Sequence, residues 1–581
     1  MFLKFRANVF VAVILLLNIF PSLSTAQDAS ESLQSSIEPD ENGFIDYEAL
    51  MFEAADDRDG INPVFEEALK AGYIDALWHW GQIGTPGSCQ KLARYLNHNQ
   101  NDVKLYAASG AAMCMENIST PALVLQINRE RDPLIKGELY RALGYTGRVD
   151  VRSILINAIS SEKKTEALEG ALEGLMQNIV YAGVKAGDLP NLDYQKLIKL
   201  TYGKNAETTA LRAAYLLTRM NELEAFLTFS DFESAFDKAE YESVKLLLLR
   251  AIGRVNLGAG KVDFLLSQLS GNNPKYRQEA IAGLGALDDV AATTALLAIV
   301  KDKERATHER QAAIAALNVK VLKEADLKSQ YASLLKSLLL EDNDWINTQA
   351  MRGLVALDKA KGEALAFDWL SSDNYYYAFH AMARLAASEE GRNLLKDFAD
   401  KSDNFVRARE ARIAIDPSIE ARTVAKASPD YKDALKSQSR LTMKTTRGDI
   451  IMDTHPTAPF TSHNFVTLAK QGKMDGMLWH RVIPNFVAQA GQKEDQSLYE
   501  WGSIREEWAA GTHSIGSVGV ATAGKDTGGT QFFINTHRNL HLDGRYTVFA
   551  HVVEGMDIVY ALQEGDQILS VLVEPIPEEQ N

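Results

Sequence analysis

A helical pattern that returns at intervals of 30 to 37 residues constrains the fold of this chain more than any other feature of its sequence. The alanine-rich stretch Arg277–Leu284 recurs as Arg310–Leu317. The same element returns further along, and its alanine markers are 33, 37, 31 and 30 residues apart: Ala280, Ala313, Ala350, Ala381 and Ala411. Repeated units of this length predict a stacked array in which each unit packs on its neighbours, rather than a globular bundle.

The repeated units belong to one long all-α region. From about residue 61 to residue 415, helical stretches rich in Ala, Leu, Glu and Lys are separated by short Gly, Asp, Asn or Pro signals. This texture resembles HEAT repeats, in which small residues let paired helices approach closely. The resemblance implies a curved all-α solenoid over residues 61–425, whose inner surface can hold an extended or folded protein partner. An irregular α-helical bundle or a tetratricopeptide-like array is the alternative interpretation.

Charge and cysteine content exclude several classes of protein. The 581 residues include 61 basic and 77 acidic side chains, and the formal charge of −16 argues against nucleic acid as a partner. The two cysteines, Cys89 and Cys114, are too few for a disulfide scaffold or for the four ligands of a structural zinc site. They could pair in a disulfide, or each could be a small buried residue, and the sequence leaves both open.

The first 26 residues have the features of a secretory signal peptide. Two basic residues, Lys4 and Arg6, precede an apolar stretch over residues 7–20, and Ser24-Thr25-Ala26 places small side chains before a cut after Ala26. An uncleaved anchor is the alternative, but the apolar stretch is shorter than the roughly 20 residues that a spanning helix needs. We therefore expect export, with the periplasm as the compartment, and no integral membrane segment after the signal is removed. Residues 27–60 are interpreted as a lead-in to the array.

The sequence changes character after residue 415. A Ser428-Pro429 turn signal marks residues 426–438 as a linker, and strand-like patterns follow. Four motifs then occur in order: Trp479–Gly491, Gly529–Thr536, Leu542–Ala550 and Val553–Asp557. Their order and spacing over about 130 residues resemble the cyclophilin family of peptidyl-prolyl isomerases. The resemblance implies a closed antiparallel β-barrel with capping helices over residues 439–575, followed by a tail at 576–581. The chain is thus expected to be multidomain, an all-α HEAT-like solenoid followed by a cyclophilin-like barrel.

The resemblance also implies an activity and its residues. Rotation about an X-Pro bond sacrifices amide resonance, a barrier of about 18 to 20 kcal/mol. In the twisted transition state the prolyl nitrogen becomes a hydrogen-bond acceptor, so a donor aimed at it binds that state selectively. By resemblance Arg481 is this donor and Gln489 supports it. The remaining groove residues that match the family hold the proline ring or the peptide on either side: Phe486, Val487, Ala521, Thr522, Gln531, Phe533, His541, Leu542 and Tyr546.

Some groove positions depart from the family pattern. Many cyclophilins have Trp where this chain has His541, His where it has Tyr546, and Met where it has Val487. His541 is expected to weaken cyclosporin binding, because the indole supplies a hydrogen bond and stacking area, while catalysis should be less affected.

These features together predict an exported peptidyl-prolyl cis-trans isomerase that assists protein folding. Its substrates would be proline-containing polypeptides, and the helical array would bind a client or another protein partner. The family needs no cofactor, and the seven histidines of this domain show no zinc-like spacing. The alternative is a scaffold or chaperone that binds proline segments without turning them over.

Overall fold

The computed structural model describes residues 45–256, 258, 260–320, 325–419, 428–494, 503–508 and 511–577. The predicted signal peptide, residues 1–26, lies outside the described residues, as do parts of the predicted lead-in, linker and tail.

The first part of the described chain is helical throughout. Its helices pack in sequence order and are Tyr47–Asp56, Val64–Lys70, Ala76–Ile83, Pro86–Ala93, Asn101–Met113, Thr120–Arg129, Pro133–Tyr145, Arg152–Ser161, Thr165–Ile179, Tyr194–Lys199, Glu207–Leu217, Phe229–Lys238, Glu242–Arg254, Gly260–Gln268, Pro274–Gly285, Val290–Lys301, Thr307–Asn318, Ala325–Leu338, Asp344–Leu357, Lys359–Trp369, Tyr375–Leu385, Glu389–Lys401 and Phe405–Ile415. Among the helices of the described residues, none combines the length and apolar character needed to cross a membrane.

Local sequence explains where many of these helices begin. The side chains of Thr85, Asp132 and Asn273 accept hydrogen bonds from backbone N–H groups in the first turn, and a proline follows each of them. A capping side chain followed by proline is a favourable helix start, because proline lacks an N–H that would in any case be unpaired there.

The small residues of the repeats allow helices to touch backbone to backbone. A Cβ atom on Gly144 would overlap the carbonyl oxygen of Gly174 on a neighbouring helix. Arginine and glutamate side chains also connect successive repeats: Arg250 with Glu279 at 2.6 Å, Arg277 with Glu309 at 2.7 Å and Arg310 with Glu341 at 2.8 Å. One apolar core runs through the array from Met51 to Leu354.

The second part is an eight-stranded antiparallel sheet that curves into a half-barrel. Its strands are β1 Arg440–Thr445, β2 Gly448–Thr454, β3 Leu478–Ile483, β4 Val487–Gln492, β5 Ser517–Val520, β6 Phe532–Asn535, β7 Val548–Glu554 and β8 Ile568–Glu574. They are ordered β3-β4-β6-β5-β7-β2-β1-β8. Two helices, Pro459–Lys470 and Met556–Ala561, accompany the sheet. Its core includes the parallel-stacked rings of Phe465 and Phe549, with centroids 4.2 Å apart.

Helical packing extends into the segments predicted as lead-in and linker. The helix Tyr47–Asp56 lies before residue 61, and a short helix, Tyr431–Leu435, lies within residues 426–438. The Phe52 and Tyr431 rings stack with centroids 4.5 Å apart and belong to one apolar cluster with Phe460. The two ends of the array region therefore meet beside the sheet.

The array curves around the sheet domain and contacts it along most of its length. Near the start, Arg505 Nη1 donates to Asp56 Oδ2 at 2.9 Å, and near the end Arg407 Nε donates to Glu494 Oε1 at 2.7 Å. Between them, His308 Nε2 lies 2.7 Å from the Leu562 carbonyl oxygen. The Leu540 side chain of the sheet domain is part of the apolar core of the array. The surface of the array that was predicted to hold a partner thus holds, at least in part, the second domain of the same chain.

Cys89 and Cys114 form a disulfide, with Cα atoms 5.9 Å apart and both side chains buried. Of the two possibilities left open by the sequence, the structure contains the bonded pair. It connects the helix Pro86–Ala93 to the residue that ends the helix Asn101–Met113.

The disulfide should stabilise the first repeats. A cross-link that spans 25 residues restricts the unfolded chain and is worth about 3 kcal/mol. A Cys89→Ala/Cys114→Ala variant should therefore show a lower thermal unfolding midpoint than the oxidised protein. Reductant should lower the midpoint of the parent and leave that of the variant unchanged. Equal midpoints for the oxidised parent and the variant would contradict the prediction.

Candidate active site

A hairpin places the two residues predicted to act on the peptide bond next to each other. Arg481 on β3 and Gln489 on β4 are register partners, and Arg481 Nη1 donates to Gln489 Oε1 at 3.1 Å. The turn between the strands uses Asn485 in the left-handed region, at φ 54°, which asparagine tolerates better than most residues. The sequence pattern and the strand pairing therefore agree on this pair.

Helices of the array hold the hairpin turn. Asn485 Nδ2 donates to the Lys275 carbonyl oxygen and to Glu279 Oε1, both at 3.1 Å. Arg250 Nη2, which is paired with Glu279, donates to the Asn485 carbonyl oxygen at 3.2 Å. Because the Glu279 carboxylate is buried against the Arg250 guanidinium, its pKa is lowered despite the cost of burial. The turn that carries Phe486 is thus fixed by residues some two hundred positions earlier in the chain.

A chain of amide side chains continues from Gln489 across the strands. Gln489 Nε2 donates to Gln531 Oε1 at 3.0 Å, and Gln531 Nε2 lies 3.4 Å from Gln492 Oε1. Gln492 Nε2 donates to the Tyr375 hydroxyl oxygen of the array at 3.1 Å. Because each amide uses its donor and its acceptor, the orientation of Gln489 beneath Arg481 is specified by its neighbours.

Six of the predicted groove residues form one apolar cluster, separate from the core of the sheet. Its buried members are Val487, Phe533 and Leu542, and its partly buried members are Phe486, Ala521 and Tyr546. Gly519, which pairs with Phe533 between β5 and β6, makes room for the ring, because a Cβ atom there would overlap it. The structure therefore brings together residues that are up to 60 positions apart into a single apolar surface.

Three predicted groove residues outside the cluster, Thr522, Gln531 and His541, lie beside its members. The His541 ring stacks on the Phe486 ring, with centroids 5.6 Å apart and planes 24° apart. The Ala521 N–H donates to the Gln531 carbonyl oxygen at 2.9 Å, and the neighbouring Thr522 hydroxyl donates to Glu506 Oε1 at 3.2 Å. Burial raises the pKa of Tyr546 to about 12, so this hydroxyl is neutral and remains a donor at neutral pH.

Arg481 lies over the cluster with its charge intact. The guanidinium carbon is 5.6 Å from the centroid of the Phe486 ring. Burial lowers the pKa of Arg481, and the nearby carboxylate of Glu564 opposes that change. An arginine has so high a pKa that it stays protonated at neutral pH. Among the described residues Gln489 is the hydrogen-bond partner of Arg481, through Nη1, so Nε and Nη2 keep donors for another group.

Several residues that support the site were missed by the sequence analysis. The His513 ring stacks on Phe533 at 5.7 Å, and the Asp543 carboxylate accepts the His513 backbone N–H at 2.8 Å and an Arg538 Nη1–H at 2.9 Å. These bonds lower the pKa of Asp543 well below its usual range, against the opposing effect of burial. Asp543 belongs to the sequence motif Leu542–Ala550, so its position in that motif could have indicated a role. The array residues that hold the hairpin turn, such as Glu279 and Arg250, belong to no such motif.

Comparison with known families matches two regions of the chain. Residues 440–576 match the model for "Cyclophilin type peptidyl-prolyl cis-trans isomerase/CLD". Residues 262–357 match the model for HEAT repeats. The first match falls in the region for which the cyclophilin resemblance was noted, and the second covers part of the region for which the HEAT resemblance was noted.

The following similar proteins match the second domain. A peptidyl-prolyl cis-trans isomerase of Helicobacter pylori is 39% identical over 147 residues, which cover 24% of this chain and 90% of that protein. Peptidyl-prolyl cis-trans isomerase B of Bacillus subtilis is 41% identical over 120 residues, 20% of this chain and 84% of that protein. Among solved structures, a Cryptosporidium parvum cyclophilin-type isomerase is 21% identical, covers 24% of this chain and 99% of its own, and gives a TM-score of 0.22.

The Asp543 carboxylate should stabilise the site in a pH-dependent way. Because its pKa is lowered in the folded protein, it contributes stability above the unfolded pKa of about 3.9, and this contribution is lost as the pH falls toward its folded pKa. Asp543→Asn should therefore reduce the free energy of unfolding at pH 7 by about 3 kcal/mol, since it leaves a buried guanidinium without its charge partner. Chemical unfolding at pH 7, 5 and 3 should show a difference from the parent that narrows at pH 3. Asp150→Asn, at an exposed ion pair, is the control and should have little effect; a difference that is constant with pH would contradict the assignment.

Proposed function

We propose, on the premise that the chain belongs through residues 440–576 to the cyclophilin-type peptidyl-prolyl cis-trans isomerases, that the groove around Arg481 isomerises X-Pro bonds in polypeptide substrates. The observation that carries this proposal is the position of Arg481. Its guanidinium is anchored through one nitrogen to Gln489 and lies over the apolar cluster, 5.6 Å from the centroid of the Phe486 ring.

The proposed reaction needs no bond to the enzyme. As the X-Pro amide twists, its nitrogen regains a lone pair, and the Arg481 N–H groups that bond to none of the described residues are the donors for it. Phe486, Val487, Phe533 and Leu542 would hold the proline ring away from water, which disfavours the charge-separated planar amide relative to the twisted form. Gln489 would keep the guanidinium in place, and Ala521, Thr522 and Gln531 would contact the peptide on either side.

Assistance to protein folding follows from the same reaction. Uncatalysed prolyl isomerisation takes about 10 to 100 s at 25 °C, which is slow enough to limit the folding of many chains.

The hydrogen bonds between Trp479 and residues 565–566 join the two edge strands of the sheet, β3 and β8, at one end. They support the closed barrel that the family resemblance implies.

We place the protein outside the cytoplasm, with the periplasm as the compartment. Two observations support this location. The first is the basic, then apolar, then small-residue pattern of residues 1–26. The second is the disulfide Cys89–Cys114, because structural disulfides persist in oxidising compartments.

The helical array would bind a client or partner on the surfaces that the isomerase domain leaves uncovered. A scaffold that binds proline segments without turnover remains the second candidate, and it shares every binding contact described above. The two differ in whether Arg481 accelerates rotation.

Arg481→Ala in the full mature chain should lower kcat/KM on an Ala-Pro peptide by roughly two to three orders of magnitude, as expected for loss of a transition-state donor. A protease-coupled isomerisation assay measures this directly. Arg440→Ala, on β1 and paired with Asp453, removes an arginine away from the groove and should leave the rate unchanged. Equal rates for parent and Arg481→Ala, with both proteins folded, would favour the scaffold.

Expression of the full chain in a Gram-negative host should yield a periplasmic protein that begins at Gln27. Cell fractionation and N-terminal sequencing check this result. Replacement of both Leu15 and Leu16 by Arg interrupts the apolar stretch and should keep the uncut chain in the cytoplasm. Recovery of the uncut parent in the cytoplasm would contradict export.

A further inference from the structure

One side of the groove is built on the array rather than on the isomerase domain. His541, which stacks on Phe486, is itself covered by Tyr215 from the helix Glu207–Leu217. The Tyr215 hydroxyl is hydrogen-bonded to His541 Nδ1. Arg219, one turn further along the array, donates from Nη2 to the Tyr215 hydroxyl oxygen at 2.6 Å.

The direction of these hydrogen bonds follows from the number of protons. The Tyr215 hydroxyl has one proton and already accepts from Arg219, whose guanidinium can only donate. Tyr215 is fully buried, so its proton needs a protein acceptor, and His541 Nδ1 is the one that the described residues provide. Leaving a buried hydroxyl proton unpaired would cost free energy. His541 Nδ1 is therefore the acceptor, and its ring carries its proton on Nε2.

The charges around His541 keep the ring neutral. Burial lowers its pKa well below the usual value, and the positive charges of Arg219 and Arg250 act in the same direction. His513 also lowers the pKa, and the Asp543 carboxylate opposes the shift without overcoming it. The ring at neutral pH is thus a single neutral tautomer with one N–H donor.

That donor is available at the edge of the groove. Within the described part of the chain, the His541 ring is hydrogen-bonded through Nδ1, Nε2 has no hydrogen-bond partner, and 7% of the residue is exposed. The ring that carries it is in contact with Phe486, and the next residue, Leu542, is part of the apolar cluster. The chemical group that an extended peptide presents to such a donor is a backbone carbonyl oxygen.

The array also fixes the backbone on both sides of His541. Gln177 Nε2 donates to the Leu540 carbonyl oxygen at 3.0 Å, and Leu540 itself is buried in the core of the array. On the other side, the Tyr145 hydroxyl donates to the Asp543 carbonyl oxygen, and Arg545 Nε donates to Gln177 Oε1 at 3.1 Å. The position of His541 is therefore set mainly by residues of the array.

We propose that the array completes the active site: Arg219 and Tyr215 are positioning residues that hold His541 in its Nε2–H form, and this N–H donates to a backbone carbonyl of the bound peptide. The inference rests on the proposed isomerase function and names a determinant of its substrate binding. It also assigns the helical repeats a role within the catalytic unit, separate from any partner on their outer surfaces.

The first test is spectroscopic and uses the unaltered mature protein. Nitrogen chemical shifts of histidine-labelled protein distinguish a protonated from an unprotonated ring nitrogen, and the His541 signals are identified by their loss in His541→Phe. Nε2 protonated and Nδ1 unprotonated at pH 7 is the expected result. A protonated Nδ1 would overturn the proposal, whatever the behaviour of any variant.

The second test is kinetic. Tyr215→Phe keeps the ring and removes the hydroxyl, so it should lower kcat/KM on an Ala-Pro peptide by about threefold to tenfold, the worth of one neutral hydrogen bond. The loss should appear chiefly in KM, because the carbonyl is present in the ground state as well as in the transition state. The same variant should no longer show a single neutral form of His541 in its spectrum, because the hydroxyl that selects the Nε2–H form is gone.

A matched control and a double variant separate positioning from general stability. Tyr194→Phe removes another buried hydroxyl of the array, bonded at 2.6 Å to the Ala186 carbonyl oxygen, and should leave kcat/KM unchanged. In a His541→Phe background, Tyr215→Phe should have no further effect on kcat/KM, because the residue through which it acts is gone. An unchanged rate in Tyr215→Phe alone, or an equal loss in both backgrounds, would overturn the proposal. An inactive parent would instead refute the isomerase function itself.

Discussion

The burial of the loop around Leu540 in the helical array is the interaction on which the rest of this architecture depends. Leu540 is part of the continuous apolar core of the repeats, and the backbone on either side of it is held by Gln177 and Tyr145. The second anchor is Asn485, in the turn between β3 and β4, which Glu279 and Arg250 of the array hold by hydrogen bonds. Both anchors border the groove, so the shape of the groove is determined by two domains together.

The sequence predicted the fold and the groove to different extents. The spacing of the repeats was sufficient to predict the stacked helices, because small and apolar residues recur along the chain at the length of one repeat. The family resemblance of the motifs around Arg481 and Gln489 indicated that these two residues act together, and they are paired across one hairpin. The contacts between the domains left no such pattern: Gln177 and Leu540 are 363 positions apart, and Tyr215 has the spacing of an ordinary core residue.

The departures from the family pattern become understandable in this setting. Many cyclophilins have the larger indole of Trp at position 541. In this chain Tyr215 covers that position, and the imidazole of His541 stacks on Phe486 while bonding to the phenol. The substitution and the presence of the array are therefore two parts of one arrangement.

The packing of Leu540 into the repeats also has a consequence for biosynthesis. The array precedes the isomerase domain in the chain, so a ribosome releases nearly all of it before Leu540 has been made. Until then the newly made repeats expose an apolar slot that no residue yet fills. The last quarter of the polypeptide supplies Leu540, which fills that slot. The loop around Leu540 therefore folds against repeats that have already been made.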